Sequence, residues 1–170
     1  EELRAIFDRT EGDFKMGEVF PTDKAPVLIQ QSVSIQPQAV VWGFPGFRGK
    51  GVIINARAET VLEKPMFRNS IQTKRCVIPS SGFFEWSHDG KKTKYQFNLL
   101  GARVLYQDYE DGRRFVILTE PANESMIEIH TRMPLVLPVE RFSEWFGSIS
   151  SAANLLHLTG PELTKKLILQ

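Results

Sequence analysis

The sequence predicts a mostly β, α+β single domain over residues 1–170, with a barrel-like antiparallel β core and peripheral helices. Three observations carry that expectation. Short runs of strand character recur along the chain, separated by clusters of Gly, Pro, Asn, Asp and Ser. Helix-like segments fall irregularly between them, so no repeating βαβ unit sets up a parallel sheet. The chain has 170 residues, 42% of them apolar and 24% charged, which suffices for one domain with its own core.

Taken in order, Leu3, Ile6 and Phe7 fall at i, i+3, i+4 and predict an amphipathic helix from the first residue. A helix that begins with no lead-in, and no Met at position 1, suggests that residues precede Glu1. Pro21 to Pro26 is a loop. Residues 27–29 and 34–41 predict strands. Trp42-Gly43-Phe44-Pro45-Gly46-Phe47 predicts a loop whose aromatics cannot all be core, so that some face a ligand. A strand at 52–54 leads into Asn55-Ala56-Arg57-Ala58-Glu59-Thr60, which predicts a helix that stops before Pro65. Phe67 and Ile71 mark a second helical piece. Residues 76–79 predict a buried strand. The turn 88–92 then returns to an alternating strand at 95–99. Further strands are expected at 103–106, 115–119 and 135–137, with a helical turn at 125–129. A helix over 139–146 carries Phe142, Trp145 and Phe146 on one face. Leu155, Leu156, Leu163 and Leu167 predict helices in the tail.

Composition narrows the function. No apolar run reaches the roughly 20 residues that span a bilayer, and no signal-peptide pattern is present. Cys76 is the one cysteine, so no internal disulfide can form, as suits a reducing compartment. A cytoplasmic monomer with no membrane association is expected, nucleoid-associated if bacterial. Zinc is disfavoured, because Cys76, His88, His130 and His157 lack ligand spacing. No Gly-rich phosphate loop appears, and no metal or cofactor is expected. The net charge of +1 hides an uneven distribution. Residues 42–76 hold seven basic residues against Glu59 and Glu63, while 1–20 and 108–128 are acidic. A basic middle between acidic flanks fits a phosphate-binding face or an ordinary solvated surface.

The chemistry-bearing stretch is Gly82-Phe83-Phe84-Glu85-Trp86. A buried, unpaired carboxylate is costly, so Glu85 is either neutralised, paired or used. Alternatively, strand alternation turns Glu85 to water and faces Phe84 and Trp86 to the core. Asn55 after an apolar strand, His130 and Arg132 before Met133-Pro134, and Trp42 in the aromatic loop are the other candidates. Each also has an ordinary reading: a helix cap for Asn55, a satisfied surface ring for His130, and solvated cations for Arg57 and Arg132.

Five ordered motifs are Trp42-Gly43, Ile54-Asn55-Ala56-Arg57-Ala58-Glu59-Thr60, Arg75-Cys76-Val77-Ile78-Pro79, Gly82-Phe83-Phe84-Glu85-Trp86, and Ile129-His130-Thr131-Arg132-Met133-Pro134-Leu135-Val136-Leu137. In order and spacing they resemble the SRAP (SOS-response-associated peptidase) family, across roughly residues 20–146. That resemblance implies an SRAP-like fold and an abasic-site processing protein that binds single-stranded DNA. It further implies a thiazolidine crosslink made by an N-terminal cysteine, exposed by autoproteolytic removal of the initiator Met. It assigns Asn55 to holding the N-terminal residue and the sugar, Glu85 to acid/base work beside the amine, and His130 to sugar ring opening and reversal. Arg57 and Arg132 would bind phosphates, Trp42 and Trp86 would stack on or wedge between bases, and Pro21 matches a wedge proline.

Two departures stand out. The family begins Met-Cys-Gly-Arg and this sequence begins at Glu1, without the nucleophile. Cys76 is no substitute, since it lies mid-strand and lacks a free α-amine. The family also carries a short strand segment after Tyr106 that is not found here, where Gln107-Asp108-Tyr109 follow directly. The alternatives are a non-catalytic single-stranded nucleic-acid-binding module and a peptidase acting on other proteins.

Overall fold

Alternation along five strands builds the core. The computed structural model describes residues 2–99 and 101–169. Helix α1 (Glu2–Arg9) leads to β1 (Lys24–Gln31) and β2 (Ser34–Trp42), then to the short β3 (Phe44–Pro45), β4 (Val52–Ile53) and β5 (Asn55–Arg57). Helix α2 (Pro65–Thr73) precedes β6 (Arg75–Pro79), β7 (Gly82–Trp86) and β8 (Lys94–Asn98). Then come β9 (Gly101–Tyr109), β10 (Gly112–Pro121), β11 (Arg132–Pro134), α3 (Phe142–Phe146), α4 (Ile149–Leu155) and β12 (Lys165–Leu167).

Strands β10, β2, β1, β6 and β9 pair in that order, and β9 pairs back onto β10, which closes a barrel. Four of the five pairings are antiparallel. The remaining one, β2 on β10, is parallel, with Phe115 opposite Trp42. The barrel is therefore closed as expected, and one seam departs from the all-antiparallel expectation. Every second residue of each strand points inward. Val27, Ile29, Val40, Cys76, Val104 and Phe115 fill the interior, joined by Trp42, Ile78, Tyr106 and Ile117. The intervening residues Leu28, Val77, Leu105, Val116 and Leu118 face outward and are covered by Phe67 and Ile71 of α2, Trp145 of α3 and Ala152 and Leu155 of α4. This is the period of two that a strand imposes, applied to both faces of a covered sheet. A second sheet, β12-β8-β7, packs through Phe83, stacked 5.1 Å from Phe97, onto Met126, Ile129, Met133 and Leu163.

Several expectations hold: α1, the buried strand at 76–79, α2 with Phe67 and Ile71 inward, and the 82–98 hairpin. Others are corrected. Asn55-Ala56-Arg57 is a strand, not a helix, because β10 offers a ladder to it with Ile117 opposite Asn55. Only Ala58–Thr60 turns, as a 3-10 helix. The strand expected at 135–137 is displaced to β11, and Val136 makes one isolated bridge to Ala102. The helical turn expected at 125–129 is present as turns outside any named helix, with Ile127 N–H bonded to Asn123 O (2.9 Å) and His130 N–H to Met126 O (3.1 Å). The helix expected over 139–146 splits into a 3-10 turn, Val139–Arg141, and α3. In the tail, α4 is helical but Leu167 lies in a strand, where it pairs with Tyr95. Of the loop aromatics, Phe44 is fully buried and Phe47 is 76% exposed. β9 pairs without interruption across Tyr106 and Gln107. The helix expectation at Glu1 lies outside the described residues.

Two arginines shape the outer face. Arg75 donates Nε to Trp145 O (2.7 Å), one terminal nitrogen to Ile71 O (2.7 Å) and Gln72 O (2.8 Å), and the other to Gly147 O (2.5 Å). It thereby satisfies carbonyls at the ends of α2 and α3, so this member of the basic stretch is structural. Arg103, 2% exposed, faces Glu120, 8% exposed. Burial pulls Arg103 down to about 10, still protonated at neutral pH. Burial also raises the Glu120 carboxyl above its ordinary 4.5, with Arg103 opposing the shift. A carboxyl raised in the folded state contributes most stability below its ordinary value, and that contribution is lost as pH rises through the folded value. Glu120→Gln removes the titration. The stability difference between the two proteins is expected to move in favour of Glu120→Gln as pH rises from about 4 to neutral, measured by urea unfolding across pH. Movement the other way would mean that Arg103 holds Glu120 as a favoured carboxylate.

Candidate functional site

The site gathers at one end of the barrel, where β10 runs past β2 and pairs on its two sides with β5 and β11. Asn55 lies opposite Ile117, and Arg57 and Pro134 both lie opposite Thr119. Residues in register share a face, so Asn55, Arg57, Thr119, Arg132 and Pro134 share one surface with the inward-facing Ile117. Ala56 and Ala58 point the other way and are buried, which turns Asn55 and Arg57 outward to solvent. The strand pairing that overrides the expected helix is thus what presents Asn55.

Trp42 closes this end of the interior. Its ring stacks parallel to Phe115 at 6.3 Å, and its Nε1–H donates to Ile54 O at 3.1 Å, next to Asn55. Trp42 is half-buried, with its polar atom used. Pro21 stands beside it. The turn that follows ties Thr22 N–H to Trp42 O (2.8 Å), and Asp23 O accepts from Trp42 N–H (2.9 Å).

Arg132 is held by three groups. Its guanidinium forms a bidentate pair with Glu59, through Oε1 and through Oε2 at 2.9 Å. It also donates to Thr119 O (2.7 Å) and Thr119 Oγ1 (3.0 Å). The hydrogen bond from Arg132 holds the Glu59 carboxyl below its ordinary range. A phosphate reaching Arg132 therefore competes with a carboxylate already seated on it. Arg57 makes no ion pair or side-chain hydrogen bond among the described residues and is exposed.

His130 follows from Arg132 by two residues. Its Nδ1 lies 3.0 Å from both the N and the O of Arg132. The backbone thus serves either state of that nitrogen: N–H donates to it when bare, and the carbonyl accepts from it when protonated. Nε2 is left without a protein partner among the described residues.

Glu85 comes from β7. The alternative placement of Phe84 and Trp86 toward the core is not found. Phe83 and Glu85 share the face on which Phe83 meets Phe97, while Phe84 and Trp86 share the other face with Lys94. Glu85 is half-buried, has no ion pair among the described residues, and borders an open cleft of about 460 Å³ with Trp86, Ser87, His88, Gly90 and Lys92. His88 links the halves of the site, with its ring centroid 4.9 Å from that of His130. Trp86, 38% exposed, offers an aromatic face, and Lys94 sits over it and over Phe84 while pairing with Glu18 (2.7 Å).

Sequence reasoning missed His88, Glu59 and Thr119 as members of the site. Only Glu59 gave a signal, two residues after Arg57 on the same strand-to-turn stretch. Cys76 lies at the barrel centre, fully buried, and burial pushes its thiol well above the ordinary range. It is no nucleophile, since the thiolate is the reactive form. Among the described residues no three His, Cys, Asp or Glu side chains cluster to hold a metal, and no helix is long and apolar enough to cross a membrane.

The profile of the SOS response associated peptidase (SRAP) family matches residues 2–169. The abasic site processing protein YoaM of Bacillus subtilis is 36% identical over 117 residues, covering 61% of this chain and 51% of its own length. The abasic site processing protein YedK of Escherichia coli is 30% identical over 138 residues, covering 75% of this chain and 62% of its own. The chain thus spans about half the length of curated relatives such as YoaM. A crystal structure of a Bordetella bronchiseptica protein superposes with a TM-score of 0.80 over 99% of this chain and 94% of that one, at 21% identity, and shares the fold.

Proposed function

This chain belongs to the SOS response associated peptidase (SRAP) family, and from that premise we propose that it processes abasic sites in single-stranded DNA by covalent capture. The observation that supports this reading most is the gathering of Asn55, Arg57, Arg132 and Trp42 at one barrel end, with Glu85 joined to His130 through His88.

The reaction needs a 1,2-aminothiol, which Cys76 cannot supply, so the reading calls for an N-terminal cysteine exposed by removal of an initiator Met. An α-amine titrates near ~8, so part of it is neutral at physiological pH. That amine and the thiol add to the C1 aldehyde of the ring-opened sugar. A C–N and a C–S bond form, and the aldehyde oxygen leaves as water. Glu85 moves protons between the amine, the thiol and that departing oxygen. His130 delivers and removes the proton that opens and recloses the sugar. Asn55 holds the sugar and the N-terminal residue, and Arg57 and Arg132 take the flanking phosphates. Pro21, Trp42 and Trp86 support the unstacked strand, as aromatics among cations do in single-strand binding.

The test is a denaturing gel of the full-length protein with a single-stranded oligonucleotide bearing one abasic site. An SDS-resistant band, lost when the N-terminal Cys becomes Ala, is expected. Binding of intact strands without such a band would instead make this a binding module, and cleavage of unrelated polypeptides would make it a peptidase. On the same reading, Arg132→Ala weakens binding to undamaged single strands. It should also lower the slope of log affinity against log salt by about 0.7, one phosphate's share. An unchanged slope, measured by fluorescence anisotropy, would remove Arg132 from the phosphate path.

A further inference from the structure

Two histidine rings meet at this site, and only His130 has a task above. His88 sits at the first corner of the β7–β8 turn, and that turn is tightly tied. Ser87 Oγ donates to Asp89 Oδ1 (2.6 Å) and accepts from Thr93 N–H (3.0 Å). Asp89 Oδ1 also accepts from Lys91 N–H (3.1 Å), and Ser87 N–H donates to Thr93 O (2.9 Å). Gly90 takes the left-handed backbone, φ +83°, that lets the chain reverse there. These bonds fix the backbone at His88, yet its own ring makes no hydrogen bond among the described residues. The ring's partner is His130, at 4.9 Å between centroids with the planes inclined at 43°.

We propose that His88 is a positioning residue for His130, its imidazole packing on the His130 ring and so fixing the direction of Nε2. The inference rests on the proton-handling task given to His130 above. A ring anchored at one nitrogen can still swing about its side-chain bonds. Arg132 restrains His130 at Nδ1, and His88 restrains it across the ring face, so two independent contacts leave one direction for Nε2. Glu85 on β7 and His88 in the turn that follows are three residues apart, so the ring that packs on His130 belongs to the same hairpin as Glu85. Placement of this kind matters strongly for rate, since an error of about 1 Å at a reacting group costs on the order of 100-fold.

The test uses full-length protein and saturating abasic-site oligonucleotide, with single-turnover rates of crosslink formation and of reversal. His88→Ala is expected to slow, by roughly tenfold, the same step that His130→Ala slows. His88→Phe, which keeps a ring in that place, is expected to restore the rate to within about threefold. In the double variant, His88→Ala adds nothing to His130→Ala, as follows when one residue acts through the other. A His88→Ala rate within about twofold of wild type, or full additivity with His130→Ala, would overturn the proposal. A second measurement needs no chemistry: a nuclear Overhauser effect between ring protons of His88 and His130 is expected in the free protein, and its absence would also overturn the proposal. A wild-type protein that forms no crosslink sinks the function proposed above, and the ring-to-ring effect then still decides whether His88 restrains His130.

Discussion

Glu85→Gln is expected to slow crosslink formation by roughly 10² to 10⁴-fold, the range of a lost general acid/base, with little change in melting temperature. The separation of the two effects is the point of the experiment. Glu85 is half-buried on the inner face of β7, and no cation pairs with it among the described residues. Its one hydrogen bond comes from the adjacent Trp86 N–H at 3.2 Å. With no ion pair among the described residues, the charge of Glu85 contributes little to stability. Replacing it with the isosteric amide keeps shape and removes the proton chemistry. A rate within about threefold of wild type would sink the proton role. A melting loss of several degrees would instead make Glu85 a structural residue, and the aromatic face of β7 would then need another explanation.

The parts of this site that could be read in the chain are the parts set by local pattern. Phe67 and Ile71 at helical spacing gave α2, and the alternation through 95–99 gave β8. The five ordered motifs placed Asn55, Glu85 and His130 within reach of one family. What could not be read depends on pairings distant in sequence. Asn55-Ala56-Arg57 has ordinary helix-forming residues, and only Ile117, about sixty residues later, makes it a strand. The parallel seam between β2 and β10 belongs to the barrel and has no local signature. Arg132 reads as a free phosphate ligand until Glu59 is found seated on it, and His88 reads as a turn residue until its ring is found against His130. Leu167 is apolar enough for a helix, but Tyr95 offers it an open edge. In each case a tertiary partner decides between local conformations of similar cost.

Trp145→Ala is expected to cost about 3–5 kcal/mol of folding stability, as for a fully buried aromatic, and to leave the crosslinking rate of the surviving folded protein unchanged. The ring is fully buried on the outer face of the barrel, among residues of α2, α4, β6 and β9. Its Nε1–H donates to Cys76 O at 2.9 Å, so it joins α3 directly to a strand whose inward side chain lies at the barrel centre. Its carbonyl accepts from Arg75 Nε at 2.7 Å, and the guanidinium carbon atoms of Arg75 and Arg103 lie 6.0 Å from the ring. Removing the indole therefore opens a cavity and strips a buried carbonyl of its donor, and the two costs add. Trp145→Phe separates them: it retains most of the volume and loses only the hydrogen bond, so a loss of about 1–2 kcal/mol is expected. Urea unfolding of both variants measures the difference. Equal losses for Ala and Phe would mean that the bond to Cys76, rather than packing, holds α3 to the barrel. The site residues lie on the inner and end faces, so any change in rate per folded molecule would show that the outer layer also sets the position of β6 and, through it, of Glu85.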